Sequence, residues 1–523
     1  MALYLGLDSS TQSLTAVVLD VEAGVVAQQS SVHFGTDIPQ YGCPQGFLPH
    51  PDPLVRHADP RLWAAALELL LTRLQQAGVD LARIAAISGS GQQHGTVYLR
   101  RGFPQDWRPG ETLAELVSRH LTRPTAPIWM DSSTQAECRE IEQALGGPGE
   151  VRRRSGSAAV ERFAGPQIRR FAKTEPSAYA ATELIHLVSS FMASLLLGRN
   201  APIDYGDGAG MNLLNLAAAT WDPDLLQATA PGLADRLPPA VPSDTVCGTL
   251  VPGLCARYGL RPDTQVIAWS GDNPNSLIGV GGWRPGTAVV SLGTSDTYFA
   301  AMTAPAVDPQ GYGHVFGNPA GGFMSLICFK NGSLAREQVK DAHGLSWRQF
   351  DVDCLAATPV GNRGNMMLPY FVPEITPLVL QPGVVRRGEA AFVQGTDAAA
   401  SVRAIVEAQA LSMKLHSTWI GTPPTALRVT GGASRSDGIC QVLADVFAAT
   451  VDRLEVGNSA ALGAALRAAH AAGGWSWGDL SATFCRCDPA RRITPKAAHV
   501  AAYQAALPRF AAFEAEVLAG LRA

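Results

Sequence analysis

The sequence predicts an α/β protein of two domains, and three observations carry that prediction. At 523 residues the chain is longer than one hydrophobic core normally organises. It opens with a strand, a polar turn and a strand: residues 3–7 are apolar and end at Asp8, residues 9–13 are rich in hydroxyls, and residues 14–19 are apolar again. The same grammar returns past the middle. Residues 287–292 read as a strand, Gly293-Thr294-Ser295-Asp296 as a turn, and residues 297–301 as a second strand.

Spacing elsewhere predicts helices over 62–77, 183–197, 399–416, 437–448 and 459–472, with a strand at 84–88 and a loop-rich stretch at 385–398. Residues 238–263 hold Pro238, Pro239, Pro242, Pro252 and Pro262, which places the expected domain junction near residue 258. The expected domains are therefore 1–257 and 258–523.

Composition narrows the function classes. With 46% hydrophobic and 16% charged residues the chain is too apolar for disorder. A net charge of -4 and a pI near 6.3 leave no broad basic field for nucleic acid or an anionic membrane. The short clusters Arg152-Arg153-Arg154 and Arg169-Arg170 read as solvated faces. No apolar run reaches the roughly 18 residues of a membrane span. Nine cysteines without a Cys-x-x-Cys pair point to reduced thiols rather than zinc or disulfides. A start without a basic, cleavable apolar segment agrees with a cytoplasmic protein.

Several polar clusters could carry chemistry. Asp8 ends the first strand beside a hydroxyl-rich turn, so it suits a carboxylate that holds magnesium waters, with Thr11 and Gln12 donating to phosphate oxygens. An ordinary hairpin, with Asp8 bonded only to its own turn, explains the pattern as well. Gly293 and Thr294 repeat the arrangement, and two such turns, one per domain, could grip phosphates from two sides. Asp272 follows a strand-like run at 266–269 and is either a helix N-cap or a general base that takes the proton of a sugar hydroxyl. His94 stands in Gly89-Ser90-Gly91-Gln92-Gln93-His94-Gly95. A strand followed by Gly-x-Gly hints at a dinucleotide fold, yet His94 fills the third glycine position and the chain opens on the Asp8 hairpin instead. Gly431 and Gly432, between a strand at 427–429 and a helix, suit either a tight turn or a backbone laid against a base or phosphate. Neither a P-loop nor a protein-kinase catalytic loop is present, so a kinase reading must fall outside those classes.

In order along the chain, "GLDSSTQS" (6–13), "GSGQQHG" (89–95), "WMDSST" (129–134), "ERFAGPQI" (161–168), "PIDYGDGAGMNLL" (202–214), "GDNPNSL" (271–277), "SLGTSDT" (291–297), "CFKNGSLAREQV" (328–339) and "TGGAS" (430–434) resemble the FGGY carbohydrate kinases. Within that family they are most similar to the animal-type branch that phosphorylates D-xylulose. The resemblance implies two ribonuclease-H-like (actin- or hexokinase-like) domains flanking a central cleft, with ATP mostly against the second. It also implies Asp272 as catalytic base and Asp8 as the Mg²⁺ carboxylate. Thr11, Gln12 and Thr294 would lie near the phosphates, and His94, Arg162, Asp272 and Asn273 would bind ketose hydroxyls. Gly431, Gly432 and Arg435 would form the nucleotide turn, Trp347 would lie near the base, and Asp131 near the sugar. Ser9 and Ser10 replace a glycine of the bacterial pattern and Gln93 a methionine, both in keeping with the animal-type branch. Another ketose or a polyol, or a catalytically silent sugar-binding protein, remain alternatives. The sequence does not set the oligomeric state, and a homodimer is one arrangement it allows.

Overall fold

A computed structural model describes residues 2–454 and 457–522 of the chain. The described residues form two compact units, one within Met1–Trp283, Val315–Met324 and Gly457–Arg486, the other within Arg284–His314, Ser325–Val456 and Cys487–Ala523.

In the first unit, β1 (Leu3–Ser9), β2 (Ser13–Asp20) and β3 (Val25–His33) form an antiparallel meander. After α1 (Pro60–Gln76), β4 (Ile84–Gly91) pairs parallel with the free side of β1. Later segments continue the sheet. α2 (Val188–Leu197) precedes β5 (Val246–Thr249), which pairs antiparallel with β6 (Gln265–Ile267). β6 and then β7 (Ser270–Gly271) run parallel to β4, and β7 leads straight into α3 (Asp272–Gly279). The central strands β1 and β4 are apolar almost throughout because both their faces are covered. α1, capped by the Asp59 carboxylate, contributes Leu62, Trp63, Leu67, Leu70, Leu71 and Leu74 to this core.

The second unit repeats the hairpin grammar. β8 (Thr287–Leu292) and β9 (Asp296–Met302) are antiparallel, and β8 pairs parallel with β10 (Ala426–Thr430), which pairs parallel with β11 (Thr450–Arg453). The helices α4 (Ser333–Ala342), α5 (Ala398–His416) and α6 (Asp437–Phe447) belong to this unit. The chain then returns to the first unit with α7 (Ser459–Gly473), and α8 (Ala497–Arg522) closes the second. α7 lies directly on β1 and α3. A Cβ on Gly6 would sit 2.1 Å from the Ala461 carbonyl oxygen, and one on Gly463 would sit 1.9 Å from that of Asn275. Only glycine allows so close an approach.

The junction expected near residue 258 falls inside the first unit, so Asp272 shares that unit with Asp8 rather than facing it from the other. The prolines that suggested a linker are local: Pro252 starts a helix (Pro252–Tyr258), and Pro262 lies in the bend before β6. Residues 183–197 also differ from a single helix, because Leu184–Leu187 is a strand before α2 begins. Residues 385–398 hold the end of a strand (Gly383–Arg387) and a short helix (Ala390–Val393).

Candidate active site

In the first unit, parallel pairing brings two carboxylates to one end of the sheet. Asp8 on β1 lies opposite Ser90 on β4, while Ser270 and Gly271 of β7 pair with Ser90 and Gly91 from the other side. Asp8 and Asp272 thus flank β4 at the carboxyl ends of parallel strands, where ligands bind in open α/β sheets. Burial pushes Asp8 up to about 7, against a hydrogen bond of 2.6 Å from Ser90 Oγ and with help from the charge of Asp272. Burial likewise lifts Asp272 to about 6. Asp272 is not the N-cap: Gly271 takes that place, and Asp272 Oδ1 accepts from the Asn273 N–H (2.8 Å) and Nδ2 (3.1 Å). One face of the carboxylate is therefore oriented by its neighbour.

The loop after β4 adds a hydrogen-bonding wall. Asn273 Nδ2 donates to Gln93 Oε1 at 2.9 Å. His94 has φ 72°, its ring stacks on Phe163 at 4.2 Å, and Nδ1 lies 2.7 Å from the Gly210 carbonyl oxygen. Burial and the positive charge of Arg162 push His94 down to about 3, so the ring is neutral at physiological pH. Because a carbonyl only accepts, Nδ1 carries the proton and Nε2 is left as an acceptor. The Arg162 guanidinium lies 5.6 Å from the Phe163 ring centre. Buried polar atoms without a protein partner nearby are Ser9 Oγ, Oε1 and Nε2 of Gln92, and Ser270 Oγ. Buried polar groups usually find partners, so such a set suits ordered water or a polar ligand.

Other expected residues fall as follows. Thr11 and Gln12 form the β1–β2 turn, where the Trp129 indole donates to Thr11 Oγ1 at 2.8 Å and Gln12 is exposed. Asp131 is saturated: Oδ2 accepts from the Arg56 N–H, and Oδ1 from Ser133 and Gln167. Burial opposes its charge, but the neighbouring His57 and these donors hold it well below the usual carboxylate range. That carboxylate ties loops together and has little left to offer a ligand.

The second unit presents a matching strand-end cluster. Gly293 and Thr294 follow β8, and Gly431 follows the neighbouring β10. Gly431 has φ +90°, and a Cβ there would meet the Leu292 carbonyl oxygen at 2.4 Å, so this turn needs glycine on both counts. Gly432 and Arg435 are exposed beside it. Trp347, 47% exposed, precedes a helical stretch whose Asp351 accepts from Ser436 Oγ at 2.8 Å, which ties that stretch to the residue after Arg435.

Sequence reasoning did not single out Asp207 or Ser90, although both lay within recognised blocks, and only the strand pairing places Ser90 beside Asp8.

The chain belongs to the FGGY family of carbohydrate kinases. Residues 117–279 match the family's N-terminal domain and residues 288–472 its C-terminal domain. The chain is 40% identical to the xylulose kinase of Rattus norvegicus over 99% of its own length and 97% of that protein. It is 39% identical to xylulose kinase 2 of Arabidopsis thaliana, over 91% of this chain and 87% of that one. The crystal structure of xylulose kinase from Rhodospirillum rubrum superposes with a TM-score of 0.84 at 21% identity, covering the whole of both chains. The two-domain α/β fold expected from the sequence is therefore that of this family. Among the described residues no helix is long and apolar enough to cross a membrane, and no disulfide joins any of the nine cysteines.

Proposed function

We propose that this protein transfers the γ-phosphoryl group of ATP to the terminal hydroxyl of D-xylulose, giving ADP and D-xylulose 5-phosphate. The observation that carries the mechanism is the placing of Asp8 and Asp272 on either side of β4, each with a raised pKa. Full-length similarity to xylulose kinases supports the choice of sugar.

A primary hydroxyl is a poor nucleophile at neutral pH. Asp272 takes its proton as the oxygen attacks phosphorus, and the bond from phosphorus to the leaving ADP oxygen breaks with its electron pair. Asn273, donating to Oδ1, orients the carboxylate that takes that proton. His94 Nε2 accepts a ketose hydroxyl, Arg162 donates to another, and Asn273, whose Nδ2 already donates to Gln93 and Asp272, offers its Oδ1 as an acceptor. Among the described residues no group of three His, Cys, Asp or Glu could hold a metal. Asp8 suits Mg²⁺ that arrives on nucleotide phosphates and keeps most of its waters, a mode needing only one or two carboxylates. Mg²⁺ would offset charge on the transferred group. On the same reading Thr11, Gln12 and Thr294 would serve phosphate oxygens, Gly431, Gly432 and Arg435 the nucleotide, and Trp347 its base. Thiols outside disulfides suit a reducing, cytoplasmic setting.

ADP release measured with D-xylulose against ribulose, other ketoses, gluconate and glycerol tests the proposal. D-xylulose is expected to give the highest kcat/KM, and a clear preference for another sugar or polyol overturns that part. His94 offers a finer check. His94→Asn keeps a donor for the Gly210 carbonyl and tolerates positive φ, but removes the Nε2 acceptor. The open hydroxyl left behind is expected to raise KM for D-xylulose by about 10- to 100-fold. Steady-state kinetics in which KM stays at the parental value would remove His94 from the sugar site.

A further inference from the structure

Arg467 is 2% exposed, yet its hydrogen bonds all go to neutral oxygens. It projects from α7, the helix that returns to the first unit from the last part of the chain. Nη2 donates to the carbonyl oxygens of Ser243 and Ala268, both at 2.6 Å. Nη1 donates to Asn275 Oδ1 at 3.1 Å and to the Gly89 carbonyl at 3.4 Å. Asn275 passes the link on: its Nδ2 donates to the Gly271 carbonyl at 2.9 Å and to Gly89 at 3.3 Å.

These acceptors share one feature. Ala268 lies between β6 and β7, Gly89 is near the end of β4, Gly271 is the N-cap of α3, and Asn275 is in the first turn of α3. Together they surround the strand-to-helix turn from which the Asp272 side chain emerges. A buried guanidinium is costly to desolvate, and an apolar side chain of like volume usually serves core stability as well or better. Packing alone therefore gives little reason for an arginine here. Its planar fork, in contrast, can join several carbonyls at fixed angles, as a lysine cannot. The glycine contacts of α7 with β1 and α3 hold the helix at the depth this reach requires.

We propose that Arg467 is a positioning residue for phosphoryl transfer, clamping through Asn275 the turn that aims the Asp272 carboxylate. The proposal rests on the reading of Asp272 as the base. A base displaced by about 1 Å can lose up to about 100-fold in rate while substrate contacts made elsewhere persist. The effect should thus fall on kcat rather than on KM.

Four variants of the full chain, Arg467→Met, Arg467→Lys, Asn275→Asp and Asp272→Asn, are compared for kcat, for KM of D-xylulose and ATP, and for thermal midpoint. Asn275→Asp keeps an acceptor for Arg467 but loses both donated bonds to Gly271 and Gly89, so it uncouples the clamp without stranding the cation. It is the deciding variant should Arg467→Met fail to fold. Arg467→Met and Asn275→Asp are expected to lose about tenfold or more in kcat with both KM values nearly unchanged, and Arg467→Lys to recover part of the loss. Parental kcat in Asn275→Asp overturns the clamp, whatever happens to the thermal midpoint. If Asp272→Asn also turns over at the parental rate, the base assignment falls too. If Asp272→Asn is inactive, only the clamp falls.

Discussion

Asp272→Asn is expected to lower turnover by about 10²- to 10⁴-fold, the usual contribution of a positioned general base, while D-xylulose binding stays measurable by calorimetry. Asparagine keeps the shape and the oxygen that accepts from Asn273, so loss of turnover would report lost basicity rather than a disturbed pocket. Two pH effects accompany it. A general base must be ionised, so with Asp272 in that role the parental rate should fall as pH drops through about 6. Stability runs the opposite way. The folded-state pKa lies above the ordinary 3.8, so the folded protein binds this proton more tightly than the unfolded chain. The stabilisation is present at low pH and lost as pH rises through about 6. At pH 8 the parent carries a buried charge that the amide variant lacks. The gap of about two pH units, at about 1.4 kcal/mol each, makes Asp272→Asn more stable there by up to about 3 kcal/mol. An inactive variant that melts later than its parent at pH 8, but not at pH 4, is the expected pattern in calorimetry. Near-parental turnover would refute the role of Asp272 as the base.

Local signals in the sequence were strong wherever neighbours in sequence decide structure. The Asp8 turn and the Gly293-Thr294 turn were legible because apolar runs on either side of hydroxyls leave few alternatives to a hairpin. Helices α5 and α6 were legible through their spacing, within a residue of the ends expected. The site was legible only in part. Asp272 was recognised but given to the wrong unit, because prolines around residues 238–263 look like a linker until β5 and β6 are seen to extend the first sheet. Arg467 and Asp207 were not singled out, since their partners come from segments far away in the chain. Ser189 Oγ, for instance, donates to Asp207 Oδ2, and nothing in "DYGDGAG" announces it. The return of α7 was equally hidden. Its helical period was clear, but nothing in the sequence marks Gly6 on β1 and Gly463 on α7 as points of close approach.

The second unit offers an equally large effect of another kind. Arg336 is buried and forks onto Asp296, with Nη1 to Oδ2 at 2.8 Å and Nη2 to Oδ1 at 3.1 Å. Its remaining bonds go to Gln409 Oε1 and Ser333 Oγ, and the Ser333 N–H donates to the Gly293 carbonyl at 2.9 Å. The pair therefore ties the start of α4 to the turn that carries Thr294. Asp296→Asn strands a buried cation and should destabilise the protein by about 3–5 kcal/mol, read as a lower midpoint in urea. The double variant Asp296→Asn/Arg336→Met has no charge left to desolvate and should regain most of that loss, since apolar replacement of a buried ion pair is often neutral. Turnover provides the contrast. If the ion pair holds Gly293 and Thr294 in position for ATP phosphates, the double variant recovers stability while KM for ATP stays high. Recovery of stability and ATP affinity together would mean that the pair serves folding alone, and that the turn keeps its shape through the Ser333–Gly293 bond and the pairing of β8 with β9.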